Sequence, residues 1–400
     1  MSRRRVSSMT LVGLVVLPGT GSAWGVGPDA HRIVVRRCVA ALPPEIAPYF
    51  ESRVPDLEER AVEPDGVWRR DRKMRLRANW EHLWIDIKAK NSSVSARMAA
   101  AEAFPRREVE ARKLFKSLGF ARQGGRLPWG VEDLHAELVR AFQQGDGDEI
   151  VKLAGHLTHF AWAASQPFNV TVNHAGRDTG NLYLGELDIG EPYFPHQSVH
   201  YRVMGEMVRR YRSRYLERVR VRPVELRPIS DPLEPCFCHL VGSLARLDDL
   251  LTADRETTER LGATDGESLV KREDEFYELL DARCGDIVVE RLRSGAILAA
   301  GLIAGAWERA GSPVVADLGA PSLEAGTTPR AIPEEEPRTE PASGEEAKTG
   351  RYVGSKQSNV FHRPDCKHAK RIRPWNLVYY ESAEDAKRQG KRPCRICRPE

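Results

Sequence analysis

The chain has 400 residues, 41% hydrophobic and 30% charged, which is enough to bury one large core or two smaller ones. Its formal charge of +4 is unevenly spread: residues 350–400 hold 13 Lys/Arg against 5 Asp/Glu, a net of +8, so everything before them is acidic overall. That excludes a uniformly basic chain and leaves a basic tail on an acidic body, a pattern suited to a polyanionic partner and equally to a merely solvated basic face.

In chain order, Arg3, Arg4 and Arg5, the apolar run Leu11 to Leu17 and the small residues Gly21-Ser22-Ala23 form the three regions of a secretory signal peptide, residues 1–23. The run is too short to stay in a bilayer, and cleavage after Ala23 would expose Trp24 as a new N-terminus. A short buried N-terminal helix is the blander alternative. From Asp29 to about Trp307 apolar residues recur at three and four apart, as in 131–143, 148–164, 198–216, 241–251 and 286–307. This predicts an all-α main domain over residues 24–312. The segment SGAILAAGLIAGAW within 286–307 is shorter than a membrane span and predicts a buried core helix.

Residues 313–349 are rich in Pro, Gly and Glu with few large apolar side chains, which predicts a disordered linker. Aromatics return after it. SNVFHR and NLVYYE read as strands, and Ser382 with Asp385 starts a short helix, AEDAKRQ, so that residues 350–400 form a small α+β module. Cys38, Cys236, Cys238 and Cys284 are scattered; an oxidising compartment would permit disulfides, but their spacing implies no pairing.

The strongest motif lies in that module. His362 and Cys366 are four apart, and Cys394-x-x-Cys397 follows; paired imidazole and sulfur ligands on tight turns are the usual way to hold zinc tetrahedrally. A piece this small also needs such a staple to fold. Three unrelated cysteines, or one disulfide with a spare thiol, would leave it little core. The run Phe361, His362, Arg363, Pro364, Cys366, with Pro393, Cys394, Cys397 and Pro399, resembles the metal-binding domain of the Ada DNA methyl-repair protein. The resemblance implies a compact zinc-held module with DNA or another polyanion as partner. Where that family has its methyl-accepting cysteine this chain has His362, so sulfur-based methyl transfer is not expected. His368 is an alternative fourth ligand.

The body offers a looser set. His156, His159 and Ala163 are neighbours on one helix, Gln166-Pro167-Phe168-Asn169 ends it, and His196 and His200 follow, four apart. Asp65 and His82 lie upstream. A lone histidine is more often a core or surface residue than a ligand; several around one polar turn make a metal site plausible. With Trp24 and His31 in WGVGPDAHRI, GRLPW at 125–129 and HQSVHYRVM at 196–204, residues 24–310 resemble the zinc-dependent phospholipase C family and the fungal single-strand nucleases. That resemblance implies an all-helical exported hydrolase of phosphodiesters, phospholipid or nucleic acid, with zinc held between helices. It implies one zinc on Trp24 and His31, a second on Asp65, His82 and His159, and a third on His200, with Asp65 the catalytic carboxylate that orients water.

Departures from the family pattern fall on three ligand positions: Ala163 replaces a bridging aspartate, Asn169 a histidine, and Met204 an acidic residue. None is a good zinc ligand, although His174 or His196 could substitute at the third metal. Two functions follow from different classes: an exported zinc-dependent hydrolase working with one or two zincs, or a weakened member of that fold acting as a binding protein through its tail.

Overall fold

The computed structural model describes residues 27–68, 71, 74, 77, 80–87, 92–119, 124–183, 198–314, 352–355, 360–366, 369, 377–394 and 397–399. The expected signal peptide, Trp24, His196, His368 and nearly all of the expected linker lie outside them. Within them the body is helical and the tail carries a small sheet, as the sequence patterning predicts.

Six helices set the frame of the body: α1 (Pro28–Val39), α2 (Val54–Glu63), α3 (Leu127–Gln144), α4 (Gly147–Ala164), α5 (Leu233–Leu261) and α6 (Glu273–Arg309). Helix α4 is the central one. Asp146 caps it by accepting a hydrogen bond from the Glu149 N–H, which satisfies one of the unpaired donors of the first turn. From Leu153 to Ala164 every residue is buried, so α4 is covered on all sides rather than along one stripe. Helices α1, α2, α3 and α6 surround it.

Small residues allow that enclosure. A side chain at Gly155 would lie 3.1 Å from the Leu57 carbonyl and would collide with Arg60, so α2 approaches α4 closely at that point. At the other end of the core a side chain at Gly305 would overlap the Ile229 backbone, and Ile229 N–H donates to the Gly301 carbonyl at 2.8 Å. The Gly/Ala-rich stretch of α6 is therefore a seat for a backbone strand. Among the described residues no helix is long and apolar enough to cross a membrane.

All seven cysteines are free. Cys38, Cys236 and Cys284 are fully enclosed, and burial pushes the Cys38 thiol up to about 12, so they serve as small apolar core residues. His135 is buried on α3, and burial, reinforced by Arg309, lowers its pKa to about 4. Unfolding would restore the ordinary value near 6.5. Between about pH 6.5 and 4 the unfolded chain then binds a proton that the folded chain does not, so His135 contributes stability above that window and loses it as the pH falls through it. His135→Phe is expected to reduce the acid-side slope of unfolding free energy by roughly 1.4 kcal/mol per pH unit, measured by urea denaturation at stepped pH. An unchanged slope would show that the ring titrates normally.

The C-terminal module pairs four strands, β1 (Tyr352–Ser355), β2 (Val360–His362), β3 (Leu377–Tyr380) and β4 (Arg392–Pro393), in the order β3-β1-β2-β4. Contacts are antiparallel except between β2 and β4. Helix α7 (Ala383–Arg388) begins at Ser382, whose hydroxyl accepts from the Asp385 N–H at 3.0 Å. The core comprises two small clusters, one around Phe361 and Tyr380, the other of Val353, Cys366, Ala369 and Cys394.

Candidate metal centres

The module brings His362, Cys366, Cys394 and Cys397 together, with one ligand atom of each within 4.8 Å of all the others. His362 closes β2, and a turn carrying a Cys366 N–H to Arg363 carbonyl bond returns the thiol beside it. Cys394 follows β4 and donates its N–H to the Phe361 carbonyl at 2.9 Å, so its position is set by the sheet. His362 Nδ1 and Cys366 Sγ are 3.7 Å apart. Two such ligands on one tetrahedral zinc, at bond lengths near 2.0 and 2.3 Å, would lie about 3.6 Å apart. The Cys397 thiol is pushed up to about 11, by burial and then by the neighbouring Cys366 and Cys394 sulfurs. Crowded sulfurs of this kind are what a cation relieves, since zinc binds thiolates outright.

In the body, His31, Asp65 and His159 converge, again within 4.8 Å. His31 comes from α1 and His159 from α4; their rings stack with centroids 4.5 Å apart and planes 3° from parallel. Asp65 sits in a π-helical turn, Pro64–Trp68, that continues α2; such turns are frequent at functional sites. Its Oδ2 is 3.2 Å from His31 Nε2. His159 Nδ1–H donates to the Ala61 carbonyl at 2.8 Å, across the contact that Gly155 allows. That bond fixes the tautomer and leaves Nε2 as the lone-pair atom facing the cavity.

The other expected ligands take different positions. His82 is outside this cluster; its ring lies 5.3 Å from that of Trp84, and its carbonyl accepts the Leu127 N–H. His200 stacks on Phe168 and hydrogen-bonds Gln166 Oε1 at 3.0 Å, while burial lowers its pKa to about 3. The neutral ring donates Nε2–H to the amide oxygen. His174 is half-buried on the turn after Val170, with Nδ1 3.2 Å from the Val172 carbonyl. His156 pairs with Glu63 at 2.7 Å and packs edge-on against Trp68.

The three substituted positions are also accounted for. Ala163 and Asn169 line the same small cavity as His31, Asp65 and His159. Asn169 Nδ2 donates to the Ala163 carbonyl at 3.1 Å, and Met204 is fully buried in the apolar core. A residue not singled out from the sequence, Glu81, also lines the cavity, and its Oε1 lies 4.0 Å from His159 Nε2.

The tail geometry is that of a small sheet-and-helix module with a His/Cys3 set fit for zinc. Residues 342–400 match the family model described as the metal binding domain of Ada, which accounts for this module and not for the helical body. No curated protein matches the chain.

Proposed function

We propose that the chain is an exported zinc-dependent phosphodiester hydrolase of the phospholipase C or single-strand nuclease type, with its C-terminal zinc module serving to hold DNA or another polyanion. The signal-like residues 1–23 support export, and the Pro/Glu-rich 313–349 supports a linker between two separately folded parts. The observation that carries the enzymatic reading is the convergence of His31, Asp65 and His159, three residues of metal-ligand type from separate elements, on one cavity. Zinc held there would polarise a phosphoryl oxygen and stabilise charge on the attacking and leaving oxygens. His159 is locked in ligand orientation by Ala61. Asp65, with 19% of its side chain exposed against 2% for His31, is the group that solvent reaches, and its carboxylate is placed to accept a proton from an attacking water.

Loss of a ligand should exceed the 10–100-fold cost typical of losing an outer-shell partner. His159→Ala is therefore expected to lower hydrolysis of a chromogenic phosphodiester by more than about 100-fold and to remove one zinc per chain by elemental analysis. Chelator-sensitive turnover that survives His159→Ala unchanged would refute the site.

A second reading, a binding protein built on a weakened enzyme fold, is favoured by the Asn169–Ala163 bond and by the buried Met204, which occupy the places of metal ligands in the family pattern. It predicts nucleic-acid binding that depends on residues 350–400, without hydrolysis.

A further inference from the structure

We infer that the seam between α5 and α6 binds a phosphate group on Arg291, with Arg246 and Ser294 beside it and the space over Gly242 as the way in. The site is separate from the metal cluster and does not depend on it.

Its central cation is buried and only partly used. The Arg291 side chain is 9% exposed. Nη2 donates to Glu290 Oε1 at 2.7 Å, while Nε and Nη1 are enclosed and meet no acceptor among the described residues. A buried cation with unfilled donors is costly until an anion reaches it. Glu290 supplies only part of that anion, because its Oε2 also accepts from Arg246 Nη2 at 2.8 Å. One carboxylate thus serves two guanidinium groups. Asp249 Oδ2 lies 4.0 Å from Arg246 Nη1, beyond hydrogen-bond reach.

Access comes through a missing side chain. A Cβ built on the half-buried Gly242 would lie 3.4 Å from Arg291 Nη1 and, its own helical backbone and chain neighbours aside, would meet no other atom within 4 Å among the described residues. The unfilled Nη1 therefore faces the one opening this glycine leaves. His239 and Arg246 stand one turn to either side of Gly242 on α5, and Ser294 stands one turn beyond Arg291 on α6. Burial, then the Arg291 charge, lowers the His239 pKa to about 4, so its ring is neutral. His239 Nδ1 is 3.0 Å from Ser294 Oγ and 3.3 Å from Ser165 Oγ. Ser165 donates its own hydrogen to the Ala161 carbonyl, so Nδ1–H is the donor to both oxygens and the Ser294 hydrogen is left for a ligand. Two guanidinium groups and a hydroxyl, set on two helices, suit phosphate, which carries up to two charges and presents oxygens in four directions.

The test reads the melting temperature of the full-length chain in inorganic phosphate and, separately, in glycerol 3-phosphate. At a hundred times its dissociation constant the ligand should raise the wild-type value by roughly 5 °C. Arg291→Met removes the charge and keeps the length; Gly242→Leu fills the opening and leaves every donor in place. Both should fold and lose the rise. Equal rises with the two compounds identify the phosphate group alone as the ligand, and a larger one with the ester identifies an esterified phosphate whose organic part stays outside the seam. Phosphate held at the metal cluster would show the opposite pattern, surviving Arg291→Met and Gly242→Leu and vanishing in His159→Ala. That pattern, or no rise in wild type, overturns the seam site. A rise of one size in wild type and all three variants marks a general salt effect and overturns it too.

Discussion

Cys394→Ala is expected to unfold the C-terminal module while leaving the helical body intact. The sheet is small: β2 has three residues and β4 two. Its apolar content is divided between two clusters that do not merge. Full burial of a large apolar side chain is worth about 1.5–3 kcal/mol, whereas structural zinc contributes about 10–16 kcal/mol of apparent binding energy, all of it folding energy when the site exists only in the folded state. Zinc therefore outweighs any single apolar contact in holding the module together. Cys394 joins both contributions, because its sulfur is in the ligand set and its N–H closes the backbone bond to Phe361. Loss of dispersed amide resonances from strands β1–β4 and helix α7, with helical circular dichroism retained and one zinc lost per chain, is the expected outcome. Retention of those resonances without zinc would show that the metal is not structural.

This module was the part most legible in the sequence, because its ligands come in local pairs. His362 and Cys366 share one turn and Cys394 and Cys397 another, so spacing alone carries the geometry. The helical body was legible as a class from its period, since helix propensity and amphipathicity are local properties. Its candidate cluster of His31, Asp65 and His159 is legible only in part. His31, Asp65 and His159 are far apart in sequence, and their approach depends on the missing side chain at Gly155 and on a π-helical turn after α2. Neither leaves a periodic signal. Glu81, which lines the same cavity, carries no periodic signal, because the chain that follows it bonds through Leu83 and Asp86 to the Asn169 and Val170 carbonyls instead of continuing a helix.

Asp254→Ala is expected to destabilise the body by about 3–5 kcal/mol, the usual cost of breaking a buried ion pair from one side, with a fall in Tm of roughly 6–20 °C for a domain of this size. Arg202 and Asp254 have fully buried side chains and meet in a bidentate pair, Nε to Oδ1 and Nη2 to Oδ2, both at 2.6 Å. Asn181 Nδ2 donates to Asp254 Oδ2 at 2.8 Å and to the Leu251 carbonyl at 2.7 Å, and Arg202 Nη2 donates to the Leu182 carbonyl. The network ties the chain on both sides of residues 184–197 to α5. Removing the carboxylate takes its bidentate anion from a buried guanidinium, whose desolvation cost is then offset less. Replacing both partners, Arg202→Met with Asp254→Leu, removes the charge as well and should recover most of the loss, because an apolar pair of similar volume is often neutral or stabilising in such a place. Equal destabilisation in the single and double variants would instead place the cost in lost packing. Because Arg202 stands half a turn beyond His200, the single variant should also loosen the His200–Gln166 bond beside the cavity that Gln166 lines with His31, Asp65 and His159, and the double variant should restore it.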